Sequence, residues 1–107
     1  MTPPPIPAND AERAAVLHAT GVLDTPPEPD YDELTHLAAQ ICDVPMALIS
    51  LIDVDRQWFK SKIGLDGTST SRDVSFCAHA ICEPGDDLFV VPDAWRDQRF
   101  FDNPYVS

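Results

Sequence analysis

Three residues near the middle of the chain, Cys77, His79 and Cys82, are of types that could do chemistry together. A cysteine becomes nucleophilic when a neighbouring base or positive field lowers its pKa. On a continuous helix His79 and Cys82 (i, i+3) share a face, whereas Cys77 and Cys82 stand about 140° apart, five residues at ~100° each. That separation opposes a disulfide between the two cysteines within the helix. A metal site would need further ligands at short spacing, and none is close. Cys77 therefore reads as a small core residue, with His79 and Cys82 lining a cleft or the surface. Asp53 and Asp55 form a carboxylate pair, but they stand where a hairpin turns and suit turn chemistry better than catalysis. Trp58, Phe59 and Phe76 are more often core than a cofactor box. The chain carries no glycine-rich phosphate loop, no G-x-S-x-G and no H-E-x-x-H. From these residues alone it is a non-catalytic binding module with no metal site, and no cofactor can be assigned.

The elements that would position these residues centre on Pro45–Gly64. Met46–Ile52 is a β-favouring apolar run, Asp53–Arg56 a polar connection and Gln57–Ile63 a second strand, together a β-hairpin. Met46, Leu48 and Ile52 point one way and Ala47, Ile49 and Leu51 the other, which suits a strand covered on both faces. Before the hairpin, the prolines of residues 1–8 give an extended, unpaired leader. Asn9 and Glu12 then form a capping-box-like start for a helix over about Asp10–Ala19, with Gly21 placed to stop it. Three prolines between Thr25 and Asp30 stiffen the connector. A second helix runs from Asp30 to about Asp43. Its apolar positions Tyr31, Leu34, Leu37, Ala38 and Ile41 predict a stripe laid over one face of the hairpin. Gly64–Ser71 reads as a polar loop, Asp73–Cys82 as a third helix, Asp87–Val91 as a short strand and Asp97–Phe101 as a short helix.

With 107 residues the chain has room for one domain. Its net charge of -11, from 18 acidic against 7 basic residues, argues against nucleic acid or an anionic membrane surface as partner. No apolar run approaches the ~18 residues of a membrane span, and the amino terminus has no signal-peptide character. Three cysteines at unrelated spacings fit a reduced, cytoplasmic protein.

Four segments taken in order resemble the amino-terminal GAF domain of bacterial sensor histidine kinases and diguanylate cyclases. They are E-R-A-A-V-L-H-A-T-G-V-L-D-T-P-P-E from Glu12, Y-D-E-L-T-H-L-A-A-Q-I-C-D-V-P-M-A-L-I-S-L-I-D from Tyr31, D-R-Q-W-F-K-S-K-I-G-L from Asp55, and R-D-V-S-F-C-A-H-A-I from Arg72. The tail V-V-P-D-A-W-R-D-Q-R-F-F-D-N-P-Y-V from Val90 continues the match. The resemblance implies an α+β fold, a GAF-like antiparallel sheet flanked by helices, over residues 9–107. It implies about three strands and three to four helices of that fold, ending before the family's last strands and closing helix. An incomplete sheet would leave the edge of Met46–Ile52 unpaired and the domain poorly stable unless another chain completes it. The resemblance further implies a sensory or regulatory module of a signal-transduction protein. Such a module binds a small molecule, or dimerises, to control a histidine kinase or cyclic-di-GMP output domain. Trp58, Phe76, His79, Asp93 and Phe100 are the ligand-pocket residues expected on that basis. Two other functions remain open: a GAF-type free methionine sulfoxide reductase using Cys77 and Cys82, or a vestigial dimerisation module.

Overall fold

In the computed structural model, which describes residues 3–83 and 88–105, the chain is α+β, with a three-stranded antiparallel sheet and three α-helices. Helix α1 (Asp10–Thr20) ends at Gly21, whose φ of 69° is the left-handed cap that a Cβ would oppose. At its other end Asn9 makes no side-chain cap. The helix instead rises from a turn in which the Asp10 amide donates to the Pro7 carbonyl at 3.0 Å. Helix α2 (Pro29–Cys42) has proline in its first turn, where the missing N–H costs nothing, and closes on Asp43 in the left-handed region. The Val44 amide then returns to the Ala39 carbonyl at 3.1 Å, and Pro45 prevents any continuation.

Strands β1 (Ala47–Ile52) and β2 (Arg56–Ile63) form the expected hairpin, paired from Ala47↔Ile63 to Ile52↔Gln57. The register slips between Ile49↔Ser61 and Ser50↔Phe59, so Lys60 is an extra residue without a partner across the ladder, a β-bulge. The slip turns Lys60 and Ser61 together toward α2. The Ser61 hydroxyl donates to Asp32 Oδ1 at 2.6 Å and lies 2.6 Å from the Thr35 hydroxyl. The Lys60 ammonium donates to Thr25 Oγ1 (2.7 Å) and the Pro26 carbonyl (2.8 Å), and it pairs with Glu28.

This polar seam overturns one expectation about α2. The helix does lie against β1 and β2, but buried Thr35 meets the sheet while Leu34, Leu37, Ala38 and Ile41 face outward. A buried lysine and a buried serine on the sheet require polar partners; the Thr25–Glu28 connector supplies those of Lys60 and the Asp32–Thr35 face of the helix those of Ser61.

The third strand is also not the expected one. Strand β3 (Ser69–Ser71) lies in the segment read as a polar loop and pairs with β2 through Trp58↔Ser69, Gln57↔Thr70 and Arg56↔Ser71. The sheet order is β1-β2-β3, so β1 has a free edge among the described residues. Leu88–Val91 form no strand, and Asp87 lies outside the described residues. The third helix is interrupted as well. A 3-10 turn at Arg72–Val74 gives way at Ser75, whose extended backbone (φ -86°, ψ 122°) starts helix α3 (Phe76–Ala80) afresh. Ser75 Oγ accepts the Ala78 amide at 3.0 Å, so capping has outcompeted helix continuation. The tail folds as a 3-10 turn at Ala94–Arg96 followed by further turns, not as a helix over Asp97–Phe101. Residues 3–7 form no helix or strand, though the Pro5 carbonyl accepts a contact from Cys82 Sγ at 3.2 Å.

The ends of these elements are tied by ion pairs. Buried Arg72 holds Asp10 with two bonds (2.8 and 3.0 Å) and donates to the Asp53 and Val54 carbonyls of the hairpin turn. Arg13 shares Asp10 at 3.0 Å and reaches the Ile52 carbonyl at 2.5 Å. Asp53 takes His18 at 2.6 Å and Arg56 at 3.2 Å, and Arg56 spans both oxygens of Asp24.

Two measurements check this architecture. Gly64 has φ +76°, and a Cβ there would overlap the Pro45 carbonyl oxygen, whereas Gly21 (φ +69°) has nothing within 4 Å of such an atom. Urea unfolding should show Gly64→Ala costing about 3 kcal/mol or more and Gly21→Ala about 1 kcal/mol. Equal losses would refute the close approach. The second concerns Asp10, whose carboxyl the Arg72 guanidinium lowers from 3.8 to about 2. Because the folded pKa lies below the unfolded one, its stabilisation is full above about pH 4 and is lost as pH falls through about 2. Asp10→Asn should destabilise by about 3–5 kcal/mol at neutral pH, as breaking a buried pair does, and flatten the acid limb between those values. An unchanged acid limb would remove Asp10 from the network.

Candidate functional site

The face of the sheet opposite α2 carries Leu48, Ser50, Gln57 and Phe59. Helix α3 is fixed over it by a buried bond in which Ser75 Oγ donates to Gln57 Oε1 at 2.5 Å. Ser50 Oγ lies 3.3 Å from Cys77 Sγ, a second contact between β1 and α3. The tail is fastened to the same region by Asn103, almost fully buried. Its Nδ2 donates to the Val74 carbonyl and its Oδ1 accepts the Tyr105 amide, each at 2.9 Å. Between sheet, α3 and tail lies a groove of about 570 Å³. The hairpin and β3 contribute Met46, Leu48, Gln57, Phe59 and Thr70. Leu65 and Val74 come from the connections, Phe76 and Cys77 from α3, and Ala94, Trp95 and Tyr105 from the tail. A mostly apolar concavity of this volume with a few polar groups is the form small-molecule sites take.

Of the five residues nominated from sequence, Phe76 lines this groove. Phe100 stands behind it, 1% exposed, stacked on Phe76 with ring centroids 4.0 Å apart and the His79 ring edge-on at 4.9 Å. His79 and Phe100 thus support the Phe76 wall from the interior. Asp93 caps the tail's 3-10 turn, its Oδ1 accepting the Trp95 amide at 3.1 Å, and it pairs with Arg96 at 3.4 Å. It positions Trp95. Trp58 lies on the other face of the sheet, in a smaller hollow of about 370 Å³ that also includes His36, Asp32 and Lys60. Sequence reasoning missed Phe59, Gln57, Trp95, Tyr105 and the Asn103 latch. The alternation of β2 put Gln57 and Phe59 on one face and so carried a signal. Nothing local marked the tail residues, because their place depends on Asn103 reaching 29 positions back to Val74.

The three cysteines are free and apart in role: Cys42 is exposed and Cys77 lines the groove. Cys82 lies beyond the end of α3, its Sγ directed at the Pro5 and Ala78 carbonyls, and burial pushes its thiol up from the ordinary value. A thiol raised in this way is protonated at neutral pH and a poor nucleophile. Asp53 serves the hairpin turn, where its Oδ1 accepts the Val54 amide at 2.8 Å. The His18 ring beside it, chiefly, holds its carboxyl below the ordinary value. The Arg99 guanidinium similarly lowers Asp97 to about 2, and Arg99 lies over the Phe89 and Phe100 rings at 5.0 and 5.1 Å.

The Phe100 stack has a measurable consequence. Phe100→Ala should cost about 3–5 kcal/mol in chemical denaturation. Asp93→Ala, which removes an exposed cap, should cost about 1 kcal/mol. A Phe100 loss as small as that of Asp93 would show that the wall behind Phe76 is not packed.

No helix among the described residues is long and apolar enough to cross a membrane. No family model matches the chain. Over its full length the chain is 42% identical to part of a cyclic di-GMP phosphodiesterase of Pseudomonas aeruginosa, and it spans 18% of that protein's length.

Proposed function

We propose that this chain is a non-catalytic sensory module of a bacterial signalling protein, built on the GAF plan. A small molecule in the groove between sheet, α3 and tail would set the activity of an output domain. The observation that carries this reading is a match along the whole chain to only 18% of a cyclic di-GMP phosphodiesterase. A segment of that size is one part of a larger enzyme, and here the part has an apolar groove of its own and a Cys82 thiol directed at backbone carbonyls. Four consecutive segments resembling GAF domains support the plan of the fold. The relative favours an output in cyclic-di-GMP turnover over a histidine kinase. Free cysteines and the absence of an apolar spanning helix among the described residues support a place in the cytoplasm.

A second reading, a dimerisation module, is favoured by the outward stripe of Leu34, Leu37 and Ile41 on α2 beside the free edge of β1. Unpaired strand edges and apolar patches are sites where another chain adds.

One experiment separates the two. The chain is exchanged for the matching stretch of the Pseudomonas phosphodiesterase, and cyclic di-GMP hydrolysis is measured in the chimera and two variants. Val74→Trp fills the groove and should change hydrolysis at least about fivefold, the size of an ordinary coupling between sites. Leu37→Glu on the stripe should leave it within about twofold. The reverse pattern favours dimerisation, and indifference to both variants sinks the regulatory reading.

A further inference from the structure

The charge distribution limits what the groove can hold. All twelve lining residues among those described are uncharged. Phe59, Phe76, Trp95 and Tyr105 supply aromatic surface, while Gln57 and Thr70 supply the polar groups. Gln57 Oε1 already accepts Ser75, which takes one of its two lone pairs, while the two Nε2 donors make an acceptor on the occupant the better match.

The chain has seven lysines and arginines, and every one is committed elsewhere. Arg13 and Arg72 hold Asp10. Arg56 holds Asp24 and Asp53, Lys60 holds Glu28, and Lys62 donates to the Gly67 carbonyl. Arg96 pairs with Asp93 and Arg99 with Asp97. Among the histidines, His18 pairs with Asp53, His79 lies edge-on to Phe100, and His36 lines the hollow on the α2 side. A phosphate or carboxylate entering the groove would lose its hydration and find no counter-charge, in a chain whose net charge is already -11.

Resting on the reading of this groove as a sensory pocket, we infer that its ligand is a neutral, largely apolar ring compound carrying a hydrogen-bond acceptor. Nucleotides and other anions are disfavoured. The aromatic walls favour a flat occupant, since rings stack or meet edge to face. The donor at Gln57 favours a carbonyl or ether oxygen on it. A cavity of about 570 Å³ holds a molecule of drug size but needs no macromolecule to fill it.

The test uses a matched pair of fluorescent probes with the purified chain: neutral N-phenyl-1-naphthylamine and its anionic counterpart 8-anilinonaphthalene-1-sulfonate. The neutral probe should saturate at one per chain, weaken at least about tenfold in Val74→Trp, and be unaffected by Leu37→Glu on the outward face of α2. The sulfonate should bind at least about 30-fold more weakly, and cyclic GMP should not displace the neutral probe. Thr70→Arg places a cation at the groove and should narrow the gap between the two probes, a readout that does not depend on Val74→Trp folding. If the sulfonate binds as well as the neutral probe, or cyclic GMP displaces it, with Val74→Trp abolishing either effect, the ligand class is overturned while the pocket stands. If no probe saturates, or if Leu37→Glu rather than Val74→Trp abolishes binding, the pocket itself is overturned.

Discussion

A guanidinium buried as deeply as that of Arg72 must have its charge and its donors answered, and the answers come from two separate parts of the chain. Asp10 supplies the carboxylate from α1, 62 residues away, and Asp53 and Val54 supply carbonyl oxygens from the hairpin turn. The Arg72 amide also donates to the Asp55 carbonyl at 3.2 Å, so backbone and side chain hold the same turn. Arg13 joins the pair from α1 and reaches the end of β1. Buried ion pairs of this kind add little net stability over an apolar replacement, but losing one partner is costly. Their effect is therefore positional. They set where α1 begins relative to the hairpin and where the chain leaves β3 for α3, and so where the groove's wall begins.

The same economy of charge explains the other side of the sheet. The bulge at Lys60 places an ammonium, its side chain 1% exposed, and a buried serine under α2. A helix that answered them with leucines would strand both groups, at a few kcal/mol for the hydroxyl and more for the charge. Thr35, Asp32 and the Thr25–Glu28 connector answer them instead, with the ammonium 5.2 Å from the Tyr31 ring centre. The apolar stripe of α2 is turned outward as a result. Polar demand on the sheet thus outweighs the burial of three aliphatic side chains within the described residues.

Sequence reasoning reached the parts of this fold that follow from local rules. The proline at position 45, the left-handed stop at Gly21 and the β-favouring apolar run Met46–Ile52 act over a few residues, and the hairpin and first two helices stand where those signals put them. The facing of α2 was not legible. Periodicity defines a stripe but cannot say which side meets the sheet, and here a one-residue bulge decided it. Strand β3 was hidden because Ser-Thr-Ser has no apolar alternation and becomes a strand only by pairing with β2. Leu88–Val91 had the composition of a strand and none of the pairing. Among the site residues, Phe76 was found through its motif. Trp95 and Tyr105 depended on the tail being closed over the sheet by buried Asn103, the Asp93 cap and the Phe76–Phe100 stack.

That dependence bears on how an occupied groove could be felt elsewhere. Phe59 belongs to the hairpin, which is bonded along both sides of β2. Trp95 and Tyr105 belong to a tail that Asn103, the Asp93 cap and the Phe76–Phe100 stack anchor near the groove. Opening free energies within one protein fall where buried contacts and ladder bonds are fewest, so the tail is the softer wall. A molecule touching both walls shifts an equilibrium only by the difference between its affinities for the closed and open arrangements. The sheet contacts are common to the two states and cancel. Contacts to Trp95 and Tyr105 do not cancel, so on the proposed sensory reading the tail-facing part of an occupant would determine the signal, and the sheet-facing part only how tightly it is held.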